Sequence, residues 1–230
     1  MGQVAFMETI AEYLMDTAPA SCGDEPVKLP SLGDLAREMG VSRGKLREEL
    51  IVAQAYGVVE MRPGDGTYVR PFDFYTAIRP AVLYSIACDG ANFDAFRRLR
   101  AHLEIAFWEE AIVALDEDDY RELDRIVERA EQKLNGTPIQ IPHDEHRELH
   151  LRIFGKLDNS FVQGLLRAYW DAYEAVELHH YFELRYYAEM WASHRALVAA
   201  LKARLYQEGK KILAQHFTIL ENRLQAPSSS

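Results

Sequence analysis

One stretch decides the fold of this chain: LPSLGDLAREMGVSRGKLREELIVAQAYGVVEMRPGDGTYV, which runs from Leu29 to Val69. Ser31 can cap a short helix, because its hydroxyl accepts a hydrogen bond from a backbone amide of the first turn, and Gly40 is suited to end that helix. Ser42 can cap a longer helix that ends near Gly57. Both helices carry apolar residues at helical spacing, so each is predicted to bury one face.

A hairpin follows the second helix. Residues 58–61 and 67–70 alternate like strands around the turn from Arg62 to Gly66, in which both glycines permit positive φ. Two helices followed by a two-stranded ribbon are typical of a winged helix-turn-helix, a module that binds DNA. The second helix begins with three cations and no acid, which suits a phosphate backbone. We therefore predict a DNA-contacting set of Ser31, Ser42, Arg43, Lys45, Arg47, Arg62, Gly64, Gly66 and Thr67.

The same stretch resembles the DNA-binding half of GntR-type bacterial transcription regulators. The resemblance rests on Leu29-Pro30-Ser31, Leu35-Ala36, Val41-Ser42-Arg43, Arg47-Glu48 and Gly64-x-Gly66-x-x-Val69. A small helical subdomain that merely ends in a hairpin is the alternative. The chain departs from the family pattern at Gly33 and Asp34, where a basic residue is usual, and at Glu49 and Ala53. Asp65 at the wing tip is expected to face phosphate unfavourably.

Charge and composition limit the affinity for DNA. The 230-residue chain has a net charge of −10, and residues 1–70 hold seven Lys or Arg against eleven Asp or Glu. A DNA-binding face must then be local, with few phosphate contacts per subunit, so we expect strong binding only from a homodimer on two-fold symmetric double-stranded operator DNA. Two distant cysteines and the absence of an apolar run of about 18 residues favour a cytoplasmic protein outside the membrane.

Beyond residue 71 the periodicity is helical almost throughout. The sequence predicts a mainly α chain with three parts: a winged helix-turn-helix over 1–71, an all-α antiparallel bundle over 72–225 and a disordered tail over 226–230. Asn92 is expected to cap one long helix that ends near Asp116, and Asp116 to cap the next. Pro142 is suited to open the helix that follows Asn135-Gly136.

Histidine carries the chemistry of the predicted bundle. His146 and His150 lie four residues apart, so they project from one helix face at a spacing that suits a single metal ion. His194 and His216 each lie beside apolar positions of a later helix, near its buried stripe. Taken alone, each histidine can also be an ordinary core or surface residue.

The register of these histidines resembles the FCD effector-binding domain of FadR-like GntR regulators. The matching residues are His146, Leu149-His150 and Asn159, then His194 before Leu-x-x-Ala-Leu, His216 in the last helix, and Arg100-x-x-Leu103-Glu104. The resemblance implies a metal site of His146, His150, His194 and His216 that holds a small organic acid through its carboxylate. Zinc is the expected divalent transition metal, and nickel or another such ion is an alternative.

One departure from that family has an electrostatic consequence. His146 stands where the family has an aspartate ligand, and Asp144 and Glu145 lie about 200° and 100° around the helix from it. Four neutral imidazoles leave a divalent ion its full charge of about +2, which favours an anionic ligand. Arg100 is the candidate for the far end of that acid, because guanidinium suits bidentate carboxylate recognition. An ion pair with Glu104, four residues on, is the alternative for Arg100.

A metal-dependent hydrolase acting on a small carboxylate is the alternative function. It would need a general base at the metal, but Glu148 lies about 200° around the helix from His146. Arg147 occupies the position at which zinc proteases carry their glutamate, and the cysteine motif of zinc deaminases is absent. The sequence therefore predicts a ligand-responsive transcription regulator, expected to be a repressor, and not an enzyme.

Overall fold

The computed structural model describes residues 8–21, 26–177 and 184–224. The chain divides into two compact units, residues 1–81 and 82–230. The boundary predicted after residue 71 stays a prediction, and the predicted tail over 226–230 lies outside the described residues. Within those residues, no helix combines the length and the hydropathy that a transmembrane span requires.

The first unit consists of helices packed on a small antiparallel sheet. Its helices are α1 (Glu8–Ser21), α2 (Leu32–Glu38) and α3 (Arg43–Ala55), and its strands are β1 (Val27–Lys28), β2 (Val59–Arg62) and β3 (Gly66–Val69). The strand order is β1-β3-β2. Ser31 and Ser42 cap α2 and α3 as predicted, since their hydroxyls accept from the amides of Asp34 and Lys45. The predicted two-stranded ribbon is present as β2 and β3. The two residues of β1, which were not predicted, add a third strand beside β3.

One apolar core holds the first unit together. It combines Ile10 and Leu14 of α1 with the buried faces of α2 and α3 and with Val59 and Val69 of the sheet. In the hairpin between β2 and β3, Gly64 and Gly66 adopt φ values of +77° and +150°. These values confirm the predicted need for glycine, since L side chains rarely adopt that conformation.

The second unit is all helical. Its elements are α4 (Phe74–Cys88), which begins in the first unit, α5 (Ala91–Ala106), α6 (Trp108–Val113), α7 (Glu117–Leu134), α8 (His143–Phe154), α9 (Ser160–Glu177), α10 (Leu184–Lys202) and α11 (Tyr206–Leu224). Asp116 caps α7 in a reciprocal capping box with Asp119, as its position predicts.

Two predictions in the second unit are wrong. The segment expected to form one helix up to Asp116 is two helices, α5 and α6, separated at Phe107. Asn92 lies inside α5 and donates to the carbonyl of Ser85, whereas the Asp89 carboxylate accepts the amide of Ala91 at the helix start. Asp89 satisfies an amide of the first turn, so a cap at Asn92 is not needed.

Candidate metal centre and nucleic-acid interface

The four predicted histidines converge in the second unit. His146 and His150 come from α8, His194 from α10 and His216 from α11, and one nitrogen of each lies within 4.8 Å of the corresponding nitrogens of the others. All four side chains are buried. The Nε2 atoms of His150 and His194 face each other at 3.2 Å. Such convergence of imidazole nitrogens is the donor arrangement that divalent transition metals take.

The polar atoms of these rings fit a bound cation. Among the described residues, neither nitrogen of His146 has a hydrogen-bond partner, and Nδ1 is without one in both His194 and His216. A buried polar atom without a partner costs about 1–3 kcal/mol. An ion coordinated by the four rings would take one nitrogen of each and offset part of that cost.

The surroundings of the four histidines lower their pKa values, which favours the neutral form of each ring. Burial lowers the pKa of His146, His194 and His216 well below 6.5, and the neighbouring histidines and Arg100 lower it further. Burial also lowers the pKa of His150, against the opposing effect of Glu104. The rings are therefore neutral at pH 7, and neutral imidazole is the form that binds metal.

A buried ion pair lies directly against the histidines. Arg100 donates from Nε to Glu104 Oε1 at 2.6 Å, and Glu104 Oε2 lies 2.8 Å from His150 Nδ1. Burial opposes ionisation of Glu104, but Arg100 and His150 lower its pKa to about 2. The ion pair named as an alternative for Arg100 is thus present. Its Nη2 atom is buried and has no hydrogen-bond partner among the described residues.

Aromatic rings enclose the Arg100 guanidinium. Its central carbon lies 4.6 Å from the ring centre of Tyr169, 4.5 Å from Trp170 and 5.2 Å from Phe217. A cavity of about 30 Å³ adjoins it, with room for about one water molecule. The cavity is lined by Arg97, Arg100, His146, Tyr169, Tyr173, Tyr186, Met190, His216 and Phe217. An organic acid does not fit there without movement of the lining.

Glu145 and Glu148 of α8 are paired with cations outside the histidine cluster. Glu148 accepts from Arg129 at 2.6 Å, and Glu145 pairs with Lys133 at 2.7 Å. The angular argument against Glu148 as a general base therefore agrees with the structure. No carboxylate belongs to the group of converging metal-ligand atoms found among the described residues.

Six of the nine predicted DNA-contacting residues line one groove of the first unit. The groove has a volume of about 730 Å³, and its lining includes Ser31, Arg47, Arg62, Gly64, Gly66 and Thr67. Ser42, Arg43 and Lys45 lie at the start of α3 and are exposed. The hydroxyls of Ser31 and Ser42 are engaged as helix caps.

The cations of this unit differ in their availability. Arg62 pairs with Glu60, and Lys45 lies 3.6 Å from the Glu49 carboxylate. Arg43 and Arg47 are exposed and form no ion pair with another described residue. Of the predicted phosphate-binding cations, these two arginines can therefore bind a phosphate without breaking an ion pair within the unit.

Two acids that depart from the family pattern, Asp65 and Glu49, have partners within the first unit. Asp65 was expected to oppose phosphate, but it pairs with Lys28 at 2.9 Å and accepts from the Tyr68 hydroxyl. Glu49 is buried and accepts the backbone amide of Ile10 at 2.9 Å. This amide lies in the first turn of α1, so Glu49 acts as a cap for that helix from outside it.

Sequence reasoning missed three residues beside the histidines. Glu104 was considered only as a partner of Arg100, and Tyr169 and the Arg100 contact of Trp170 were not assigned. The spacing of Arg100 and Glu104 signals their pairing, but nothing local signals a contact between Glu104 and His150, which lie 46 positions apart.

Comparisons with known proteins match both units. Residues 96–218 match the FCD domain, and residues 24–69 match the family described as bacterial regulatory proteins, gntR family. The Uxu operon transcriptional regulator of Escherichia coli is 25% identical over 202 residues, which cover 86% of this chain and 78% of that protein. LutR of Bacillus subtilis is 42% identical over 53 residues, 23% of this chain and 24% of its own length. The Streptococcus agalactiae GntR structure has a TM-score of 0.71 at 18% identity, covering 95% of this chain and 99% of that one, and this likeness concerns the fold alone.

Proposed function

Since the chain belongs to the GntR family of bacterial regulatory proteins and carries an FCD domain, we propose that it senses a small organic acid through a metal ion. Family membership makes it a DNA-binding transcription regulator and not an enzyme. The metal-dependent hydrolase considered from the sequence is therefore not retained. We propose that the regulatory output is repression, relieved by the acid.

The observation that carries this proposal is the convergence of four buried imidazoles. We assign His146, His150, His194 and His216 as the ligands and zinc as the ion, because imidazole suits zinc, with nickel as the nearest alternative. A bound ion would supply positive charge and a coordination position for a carboxylate.

The charge balance of the site favours an anionic effector. Arg100 and Glu104 compensate each other, and the four rings are neutral, so a divalent ion would keep about two positive charges in a buried site. Burying uncompensated charge is costly, and a carboxylate ligand would reduce that cost. We propose that the unpartnered Nη2 of Arg100 binds the same acid.

The size of the cavity implies a conformational response. About 30 Å³ beside Arg100 cannot hold an organic acid, so binding would move the aromatic rings that line it. We propose that this movement in the bundle alters how the two DNA-binding units of a homodimer are spaced on a two-fold operator.

The homodimer is supported by two observations. Large apolar side chains are exposed on the second unit, with Tyr84 of α4 73% exposed and Leu99 of α5 44% exposed. In addition, only two of the predicted phosphate-binding cations, Arg43 and Arg47, form no ion pair within the described unit. Two subunits would double the number of phosphate contacts. The nine residues predicted from the sequence remain the proposed DNA interface.

Calorimetry and footprinting test the proposal together. Zinc-loaded protein should bind at least one acid from a panel of small mono- and dicarboxylates, and chelator-stripped protein should not. Arg100→Lys, which keeps a charge beside Glu104 but loses the guanidinium fork, should weaken that binding. The same acid should release the protein from its own promoter region in a footprint. Equal binding of the acid to loaded and stripped protein would contradict the metal-dependent mechanism.

A further inference from the structure

Glu104 occupies a central position between two parts of the proposed sensor. Its side chain is fully buried, and its two carboxylate oxygens have different partners. Oε1 accepts from Arg100 Nε at 2.6 Å, and Oε2 lies 2.8 Å from His150 Nδ1. A carboxylate that served only as the counterion of Arg100 would not need the second contact.

The contact with His150 determines which nitrogen of that ring carries the proton. Since the Glu104 carboxylate can only accept, Nδ1 of His150 must donate, and the lone pair of the neutral ring then lies on Nε2. Nε2 is the atom that faces His194 at 3.2 Å. Carboxylates that hold a metal-binding histidine in this way fix its tautomer and ring orientation and raise its basicity.

His150 differs from the other three histidines in this respect. Among the described residues, the ring nitrogens of His146 and the Nδ1 atoms of His194 and His216 have no hydrogen-bond partner. His150 is thus the ring whose orientation is fixed by a carboxylate, and α5 supplies that carboxylate from outside the three ligand-bearing helices.

From this geometry we infer that Glu104 is a positioning residue. It holds His150 as the Nδ1–H tautomer with Nε2 directed at the ion, and it holds the Arg100 guanidinium so that Nη2 is left for the effector. The role toward the ion rests on the proposed metal function, whereas the tautomer of His150 does not. Glu104 also places a carboxylate next to the four proposed ligand histidines, which include no carboxylate ligand themselves.

The first experiment measures zinc affinity by chelator competition in full-length variants. Glu104→Ala removes the acceptor and should weaken zinc binding about 10–100-fold. Glu104→Gln keeps an oxygen that can accept from Nδ1, so it should recover part of the loss. Cobalt-loaded Glu104→Ala should also show an altered visible spectrum, since the ligand field depends on the orientation of His150.

Asp119→Asn is the matched control. Asp119 is a buried carboxylate of the same unit that pairs with Lys156 and Arg152, so its loss should lower stability without changing zinc affinity or the cobalt spectrum. Wild-type affinity and spectrum in Glu104→Ala would overturn the inference. A similar loss of affinity in Asp119→Asn would also overturn it, because the effect would then be one of stability.

The second experiment keeps the inference testable if Glu104→Ala does not fold. Nitrogen-15 NMR of metal-stripped wild type, with the His150 signals assigned by their loss in His150→Gln, should give the Nδ1–H tautomer for His150. A proton on Nε2 would overturn the inference. If the wild type binds no zinc, the proposed metal function fails, and this tautomer measurement still decides the role of Glu104.

Discussion

Acid should destabilise the metal-stripped second unit more than an ordinary helical bundle. His146, His194 and His216 are buried, and burial first of all lowers the pKa of each well below 6.5. The unfolded chain takes up protons at these positions below pH 6.5, whereas the folded chain does not. Stability therefore falls as pH decreases through 6.5 and levels off only below the lowered pKa values of the folded state.

The expected size of the effect follows from proton linkage. Each histidine that stays neutral when folded should reduce the free energy of unfolding by about 1.4 kcal/mol between pH 7.5 and 5.5. Three such residues give a decrease of about 4 kcal/mol. His143 and His150, whose pKa values are also lowered mainly by burial, act in the same direction. Glu104, with its pKa lowered to about 2, begins to contribute only below its ordinary value of 4.5.

Urea unfolding followed by tryptophan fluorescence measures this quantity. The three tryptophans of the chain, Trp108, Trp170 and Trp191, are all buried in the second unit. Their emission therefore reports on that unit and not on the DNA-binding unit. Protein freed of metal by a chelator should be compared at pH 7.5 and pH 5.5.

Two variants separate the buried site from other titrating groups. His194→Gln removes one of the four buried rings and should reduce the pH dependence by about 1.4 kcal/mol. His102→Gln, which removes an exposed ring on α5, is the surface control. Equal stability of the wild type at the two pH values would refute the reasoning, as would an equal reduction in both variants.

Two glycines provide further tests of packing. A Cβ at Gly209 would lie 2.9 Å from Cζ2 of Trp108. Gly209→Ala should therefore displace α11, reduce stability by about 1–3 kcal/mol and weaken zinc binding through His216. Unchanged zinc affinity, measured by chelator competition, would count against this. Gly57 has φ +72°, and a Cβ there would lie 2.7 Å from Cγ2 of Thr76. Gly57→Ala should therefore lower the free energy of unfolding by at least about 1–2 kcal/mol, measured by thermal unfolding followed by circular dichroism. The control Gly44→Ala, inside α3, should not destabilise the unit.

Features that depend on local chemistry were predictable from the sequence. Ser31, Ser42 and Asp116 cap their helices where predicted, because a cap is determined by a few neighbouring residues. His146 and His150 share a helix face for the same reason. The convergence with His194 and His216 required the family resemblance, since spacing along the chain does not place separate helices together.

Features that depend on distant contacts were not predictable. Two residues of β1 carry no periodicity, so the third strand was missed. The acceptor role of Glu104 toward His150 and the pairing of Asp65 with Lys28 join residues 46 and 37 positions apart. Such contacts result from packing between elements. For this reason the sequence indicated an unpaired acid at Asp65, whereas the structure shows an ion-paired one.

The metal content of purified protein tests the central claim most directly. Protein prepared without chelator should contain about one divalent ion per chain by elemental analysis, as expected for a single set of four imidazoles. The double variant His150→Ala, His194→Ala should contain none, while His102→Ala should match the wild type. Wild-type protein without stoichiometric metal, or unchanged metal in the double variant, would contradict the account.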